Sequence, residues 1–279
     1  MMNLQVFMKS SCPGAVIFVS GTGTNAEKLL ESSAYGKLWT CRAIVTDRAS
    51  SAAVHLAEKY GLPLIDSDIR GFYARHGLSS ISIASQKGFL VREMWTDHLR
   101  ELLKPFSPDF GLLAGFVPLT NIVADFPCLN VHPGDLTMEK NGERILSGLH
   151  ELPVRKAILA GMKYLRSSVL IAKPFTPGAR EMDTGYLPGI SAPVPIIFPE
   201  NCSLDDLTAN EALLKETSLR NLENLKRLGD WVVFPKAAAD FAAGKFAHDP
   251  SGALWYLDNG NWQKVRTVQY GPEKNTLIK

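Results

Sequence analysis

The chain has 279 residues, of which 46% are hydrophobic and 21% are charged. This balance is that of a folded globular protein and excludes disordered and fibrous classes, and the length accommodates one large α/β domain with or without a small appendage. The formal net charge is +2, from 30 basic and 28 acidic side chains without a dense basic run, so we expect no nucleic acid among its partners.

The sequence shows no targeting, membrane or metal-binding pattern. Residues 1–18 contain Lys9, Ser10 and Pro13 and lack a long apolar stretch, and no run approaches the ~20 apolar residues of a membrane helix. The four cysteines have no metal-like spacing, which favours structural thiols in a reducing compartment. We therefore expect a cytoplasmic protein with no membrane partner and no metal.

Strands and helices alternate through most of the chain. Residues 15–19 form a continuous apolar run, which predicts a strand buried on both faces of a parallel sheet. Further strands are predicted, in chain order, over residues 39–45, 62–65, 109–113, 128–131, 167–172 and 192–198. Helices are predicted over residues 25–31, 51–60, 90–103, 152–161, 204–226 and 231–241, with a further short helix near 121–125 and a possible kink at Pro235. This alternation predicts an α/β fold with a doubly wound, mostly parallel sheet.

Two segments depart from the alternation. Residues 69–89 are longer than a usual connection, which predicts an insertion with a short helix of its own. Residues 253–257 and 262–268 flank Asp258-Asn-Gly-Asn261, a strong hairpin pattern. We therefore predict a main domain of residues 1–245 and a small C-terminal β-hairpin extension of residues 246–279. The hairpin is interpreted as an edge cover or as the contact of a homodimer.

A glycine-rich loop, Ser20-Gly-Thr-Gly-Thr-Asn25, joins the first predicted strand to the first helix. Backbone N–H groups and the helix dipole point to the mouth of such a loop, which suits a phosphate. Thr24 and Asn25 add hydrogen-bonding side chains. The loop also fits the Gly-x-Gly-x-x-Ala dinucleotide pattern, with Asp47 after the second strand where a ribose-binding acid lies, which would indicate an NAD-dependent dehydrogenase. A tight turn that binds nothing is the third interpretation.

Polar side chains follow the strand at 128–131. Asn130 and His132 are two residues apart, so both side chains project to one side of the sheet edge where ligands bind in α/β folds. A neutral imidazole can exchange a proton with an amine near pH 7, and an amide can stabilise an oxyanion. Asp183 lies in the loop after the next strand, and a carboxylate near the imidazole would stabilise its protonated form. By spacing alone, a structural histidine and an ordinary turn aspartate remain alternatives.

Five short motifs follow one another along the chain: S-G-T-G-T-N at 20–25, L-A-G-F at 113–116, L-N-V-H-P at 129–133, G-L-H at 148–150 and M-D-T-G at 182–185. In type and order they resemble the folate-dependent formyltransferases, which use 10-formyltetrahydrofolate, and most closely the branch that formylates glycinamide ribonucleotide. The likeness runs with gaps from about residue 16 to residue 242.

The resemblance implies a Rossmann-like formyltransferase fold and an enzyme of purine biosynthesis. Its reaction would transfer a formyl group from 10-formyltetrahydrofolate, as co-substrate, to the amine of a small phosphorylated acceptor such as glycinamide ribonucleotide. The implied catalytic residues are Asn130, His132 and Asp183. The other implied contacts are Gly23, Thr24, Asn25 and Arg227 for the substrate phosphate, Asp230 for the ribose, and Arg92, Phe116, Val117 and Leu119 for the folate.

Departures from the family pattern concentrate around the implied folate pocket. Pro118 stands where the family has an arginine, the segment after His132 lacks a second proline, and residues 138–147 and 174–181 look like expanded loops. A changed acceptor is therefore one interpretation. The alternatives are a 10-formyltetrahydrofolate hydrolase, a formyltransferase for a nucleotide-linked amino sugar, an NAD-dependent dehydrogenase and a non-catalytic folate-binding protein.

Overall fold

The computed structural model describes residues 3–49, 51–176 and 183–279. The predicted expanded loop at 174–181 lies outside these residues from position 177 onward. The strands, in chain order, are β1 (Gln5–Val6), β2 (Gly14–Val19), β3 (Thr40–Thr46), β4 (Leu64–Asp66), β5 (Phe110–Leu113), β6 (Cys128–His132), β7 (Glu139–Lys140), β8 (Glu143–Arg144), β9 (Tyr164–Leu165), β10 (Ser168–Ile171), β11 (Gly189–Ser191), β12 (Val194–Pro195), β13 (Phe246–His248), β14 (Leu254–Asp258), β15 (Asn261–Val265), β16 (Thr267–Tyr270) and β17 (Asn275–Ile278).

The α-helices are α1 (Thr24–Leu30), α2 (Ser51–Tyr60), α3 (Ile69–Arg75), α4 (Gln86–Leu103), α5 (Leu152–Leu159), α6 (Leu204–Ala209), α7 (Glu211–Leu225) and α8 (Trp231–Ala242). Single turns of 3-10 helix occupy Lys104–Phe106 and Asn121–Ala124, and a π-helical turn at Lys226–Asp230 joins α7 to α8. Within the described ranges, no helix is both long and apolar enough to cross a bilayer.

A nine-stranded sheet forms the centre of the molecule, in the order β17-β16-β11-β10-β6-β5-β2-β3-β4. The five strands from β6 to β4 are parallel, and β10 pairs antiparallel with β6. The chain moves outward from β2 through β3 to β4, and then returns to the other side of β2 for β5 and β6. The strand order therefore reverses between β2 and β5, the position at which open α/β sheets bind ligands.

The two faces of the sheet are covered by different helices because side chains alternate along β2. Ala15, Ile17 and Val19 pack with α1, α2 and α8, whereas Val16 and Phe18 pack with α3 and α4. Helices on both faces confirm the predicted doubly wound arrangement. The short helix predicted in the insertion at 69–89 is present as α3.

The predicted elements differ from the structure at several boundaries. The strand predicted over 192–198 was wrong in extent: only Val194–Pro195 is a strand, because Pro193 and Pro195 lack the N–H that a longer ladder needs. The helix predicted over 204–226 divides at Asn210, whose side chain accepts from the N–H of Leu213 and caps α7. Pro235 lies inside α8 without ending it.

The predicted C-terminal hairpin is formed by β14 and β15, with a two-residue turn at Asn259-Gly260 in which both φ angles are positive. Strands β13, β14 and β15 form a second sheet with β1. Strand β16 then pairs in parallel with β11, and Tyr270 is fully buried. Beyond the predicted hairpin, residues 267–278 therefore add the strands β16 and β17 to the central sheet.

Candidate active site

A cavity of about 320 Å³ lies at the carboxyl ends of β5 and β6, beside the point where the strand order reverses. The apolar part of its wall includes Leu113, Phe116, Val117, Pro118, Leu119, Val123, Leu170, Ala172 and Phe175. The polar part includes Asn25, Asn130, His132, His150, Lys173, Asp183, Lys226 and Asp230. Ligand pockets are typically about 300–1,000 Å³, mostly apolar with a few converging polar groups, so the cavity has the size and lining of a small-molecule site.

Strand β6 places Asn130 and His132 in the cavity wall. The strand is hydrogen-bonded on both sides, and Asn130 lies opposite Leu113 of β5 and Leu170 of β10. The ring of His132 is 4% exposed, and its Nε2 lies 2.8 Å from the carbonyl oxygen of Leu146. A carbonyl only accepts, so Nε2 carries the hydrogen and Nδ1 is the nitrogen that exchanges protons.

Asp183 lies beside that nitrogen. Its Oδ2 is 3.8 Å from Nδ1 of His132, and its side chain is 9% exposed. This distance is longer than a hydrogen bond but short enough for a strong electrostatic effect. Burial lowers the pKa of His132, and the negative charge of Asp183 opposes that effect. The structure therefore brings the three residues of the predicted trio to one cavity.

The loop that carries Asp183 has unusual backbone geometry. Asp183 has φ of 67°, in the left-handed region that aspartate tolerates better than most residues. A Cβ at Gly185 would overlap the carbonyl oxygen of Ile171, so a side chain at this position would displace the loop from β10. The guanidinium of Arg144 donates to the carbonyls of Asp183 and Gly185, the latter at 2.8 Å.

The glycine loop contributes Asn25 to the polar side of the cavity. Gly23 is the N-cap of α1 with φ of 70°, and Thr24 is the first residue of that helix. Asn25 donates through Nδ2 to Asp230 at 3.2 Å, whereas its buried Oδ1 has no hydrogen-bond partner in the described part of the chain. Among the described residues that line the cavity, Gly23 and Thr24 do not appear. Of these three predicted phosphate contacts, Asn25 is the one at the cavity.

Asp230 ends the π-helical turn and is buried. It accepts hydrogen bonds from Ser167 Oγ at 2.5 Å and from Asn25. Burial raises the pKa of the Asp230 carboxyl to about 6, against the effect of these two donors. Asp230 thus lines the cavity beside Asn25, and its ribose contact stays a prediction.

The neighbouring cation differs from the prediction. Arg227 is 64% exposed, pairs with Glu223 at 3.5 Å and is not among the residues that line the cavity. Lys226 lines the cavity instead, with its Nζ 3.0 Å from Glu223. Both cations belong to the π-helical turn at Lys226–Asp230, whose wider winding changes which residues face inward compared with a regular α-helix.

Arg92 also occupies a different position from the predicted folate contact. Its side chain is 3% exposed and donates to the carbonyls of Leu119 and Ile81, both at 2.7 Å, and to the hydroxyl of Tyr73 at 3.1 Å. Arg92 therefore lies behind the apolar wall and holds it, rather than facing the cavity. Phe116, Val117 and Leu119 line the cavity as predicted.

Some residues of the site were not predicted from the sequence. Lys173, Phe175 and Lys226 belong to no motif. Arg144 lies on the hairpin of β7 and β8, whose turn Asn141-Gly142 has two positive φ angles. The Asn-Gly pair is a hairpin signal that could have located this hairpin, although not its contact with Asp183.

Asp47, the residue on which the dehydrogenase alternative depended, is buried. Its side chain is 1% exposed and its Oδ2 lies 3.2 Å from Arg48.

Across residues 3–49, 51–176 and 183–279, no group of three or more His, Cys, Asp or Glu side chains has the arrangement of a metal site.

Comparison with solved structures shows that the fold is the one found in formyltransferases. The chain is similar to phosphoribosylglycinamide formyltransferase from Anaplasma phagocytophilum, with 17% identity, a TM-score of 0.58 and coverage of 92% of this chain and 98% of that chain. Glycinamide ribonucleotide transformylase 1 from Symbiobacterium toebii gives 21% identity, a TM-score of 0.56 and coverage of 91% and 98%. Phosphoribosylglycinamide formyltransferase from Brucella melitensis gives 24% identity and a TM-score of 0.52, with coverage of 83% of this chain and 96% of that chain. No family model matches the sequence.

Proposed function

We propose that the chain is a cytoplasmic enzyme that transfers a formyl group from 10-formyltetrahydrofolate to the amine of a small anionic acceptor. The observation that carries the proposal is the meeting of Asn130, His132 and Asp183 at one cavity, with Nδ1 of His132 3.8 Å from the carboxylate. The fold and the five sequence motifs support the same reaction class.

The apolar and polar parts of the cavity wall suit the two substrates. The apolar wall formed by Phe116, Val117 and Leu119 suits the flat ring of a folate. The polar part includes Lys226, whose Nζ also pairs with Glu223, and Asn25, whose Oδ1 is unpartnered among the described residues and accepts from a ligand N–H or O–H rather than from a phosphate. A buried polar atom without a partner favours a ligand that supplies one. A phosphorylated ribose amine such as glycinamide ribonucleotide, an intermediate of purine synthesis, is the acceptor proposed for this polar part.

The residues present can perform the transfer without a covalent enzyme intermediate. The acceptor nitrogen forms a bond to the formyl carbon, and the carbonyl electrons move to the oxygen, where the Asn130 amide donates. Nδ1 of His132 takes the proton that the nitrogen loses, and the resulting imidazolium is stabilised by Asp183. The bond between the formyl carbon and N10 then breaks, and N10 receives that proton.

The test is an initial-rate assay of the purified chain with 10-formyltetrahydrofolate and a panel of acceptors. The panel contains glycinamide ribonucleotide, its unphosphorylated nucleoside, a nucleotide-linked amino sugar and water alone. We expect formyl transfer to the phosphorylated amine, with a much higher KM for the nucleoside. Formate release at the same rate without any amine would instead identify a hydrolase.

A further inference from the structure

One short segment, residues 144–148, contacts both partners of the proposed proton-transfer pair. Arg144 donates to the backbone of the Asp183 loop at two carbonyls. Two residues later, the carbonyl of Leu146 accepts from Nε2 of His132 at 2.8 Å. The N–H of Gly148 then lies 3.5 Å from Oδ2 of Asp183. This one segment therefore contacts both groups, on the imidazole that β6 places and on the loop that carries the carboxylate.

The Asp183 loop is supported from two sides: Tyr186 accepts from the N–H of Ile171 in β10 at 2.9 Å, whereas Asp183 and Gly185, which lie in no strand, accept from Arg144. Asp183 has positive φ, and the carbonyls of Asp183 and Gly185 accept from the guanidinium. A planar guanidinium presents two donors in fixed geometry, which an ammonium cannot do. Burial lowers the pKa of Arg144, as expected for a cation committed to the protein interior.

The hairpin that carries Arg144 is itself anchored. In the β7–β8 pair Arg144 lies opposite Glu139, and Glu139 lies 3.3 Å from Nη2 of Arg266, which also donates to the carbonyl of Thr137. Arg266 directly follows β15 of the C-terminal hairpin. The C-terminal extension therefore stabilises the base of the element that reaches the site.

We propose that Arg144 is a positioning residue of the active site, whose guanidinium holds the backbone at Asp183 and Gly185 so that the carboxylate faces Nδ1 of His132. This role rests on the proposed function of the pair in proton transfer. Without the two hydrogen bonds the loop is free to shift, and the carboxylate no longer stabilises the imidazolium.

The charged groups around His132 allow a positioning role of Arg144 to be distinguished from a purely electrostatic one by the change in the pKa of His132. Asp183 favours the protonated imidazole, whereas the nearby cations Arg144 and Lys156 disfavour it. If Arg144 acted through its charge alone, its removal would raise the pKa of His132. If it acts by positioning Asp183, Arg144→Lys, which keeps the charge, lowers that pKa.

The experiment compares the full-length chain with Arg144→Lys, and with Arg220→Lys as the matched control. Arg220 lies on the exposed face of α7 in an ion pair with Glu216. The His132 ring is titrated by NMR without substrates, and its signal is assigned with His132→Gln. We expect a lower titration midpoint in Arg144→Lys and the wild-type midpoint in Arg220→Lys. Where both substrates turn over, kcat falls at least about tenfold with little change in KM, since a 1 Å misplacement can cost about a hundredfold.

A second background separates positioning from a merely structural role. In Asp183→Asn, the added Arg144→Lys substitution has no further effect on the His132 titration, because the carboxylate it positions is absent. An equal shift in both backgrounds, or an unchanged midpoint in Arg144→Lys alone, overturns the proposal. A wild-type chain without formyl transfer would refute the proposed function, whereas the titration would still decide the role of Arg144.

Discussion

Strand β6 and the Asp183 loop both carry residues of the candidate site, but these residues are held in place in different ways. Asn130 and His132 are held by hydrogen-bonded strands on both sides, so their direction follows from the register of the sheet. Asp183 lies in a loop with positive φ, and its position relies on side-chain and loop contacts, chiefly the two hydrogen bonds from Arg144 and the N–H of Gly148. We therefore expect Asp183 to be easier to displace by a single substitution than Asn130 and His132.

The largest expected effect comes from removing either member of the proton-transfer pair. We expect His132→Ala and Asp183→Asn to lower kcat by about 10³-fold or more, because the transition state loses about 4 kcal/mol or more of stabilisation. Circular dichroism and thermal unfolding are expected to show a retained fold. Near-normal formyl transfer by either purified variant would contradict the assignment.

A substitution of Arg92 tests whether the apolar wall of the cavity also depends on hydrogen bonds from an arginine. Arg92→Met removes the donors to the carbonyls of Leu119 and Ile81, which are then left without these partners. An unsatisfied buried carbonyl costs about 1–3 kcal/mol, and these two hydrogen bonds are partly buried, so we expect a loss of about 2–4 kcal/mol in the free energy of unfolding. The KM for the folate is also expected to rise, because Leu119 lines the cavity.

Denaturant unfolding and folate kinetics check this prediction, with the exposed Arg70→Met as control. An Arg92→Met protein with unchanged stability and unchanged folate KM would mean that the apolar wall keeps its structure without the hydrogen bonds from Arg92.

Asp230 is expected to make the stability of the protein depend on pH. Its folded pKa of about 6 lies above the usual 3.8, so the folded state binds the proton more tightly. Its contribution to stability is complete below about pH 4 and is lost as the pH rises through about 6. One pKa unit is about 1.4 kcal/mol, so the loss amounts to about 3 kcal/mol.

Asp230→Asn removes this dependence and leaves the acceptor atom for Ser167 in place. Unfolding free energies of wild type, Asp230→Asn and the exposed control Glu58→Gln, compared between pH 4 and pH 7, measure the effect. A wild-type slope that persists in Asp230→Asn would assign it to another group.

The smallest expected effect separates the two adjacent cations after α7. Lys226 lines the cavity and Arg227 is exposed, so Lys226→Met is expected to raise the KM of a phosphorylated acceptor about tenfold, the equivalent of about 1.4 kcal/mol. Arg227→Met serves as the matched control and is expected to leave that KM within about twofold. A larger rise in KM for Arg227→Met than for Lys226→Met would favour Arg227, the residue that the family resemblance implies for the phosphate.

Sequence patterns located the parts of the molecule that depend on short-range rules. The apolar run at 15–19 and the period of two at Asn130 and His132 predict β2 and the sheet edge at the cavity, since strand geometry alone determines which side chains share a face. The Asn259-Gly260 turn predicts its hairpin for the same local reason.

Long-range contacts were beyond such patterns. The predicted roles of Arg92 and Arg227 differ from their structural positions because burial of a charge and the phase of a π-helical turn depend on packing with distant elements. No local pattern connects Arg144 with Asp183, which is 39 residues away. Likewise, the pairing of β16 with β11 is decided by the whole sheet rather than by the sequence of either strand.

The most direct test of the central claim follows the formyl carbon itself. The chain is incubated with 10-formyltetrahydrofolate labelled with ¹³C in the formyl group and with glycinamide ribonucleotide, and the label is located by NMR in parallel for wild type and His132→Ala. The account predicts that the label appears in the amide of the acceptor with wild type and remains on the folate with His132→Ala. Label that stays on the folate in both reactions, or moves equally fast in both, would contradict it.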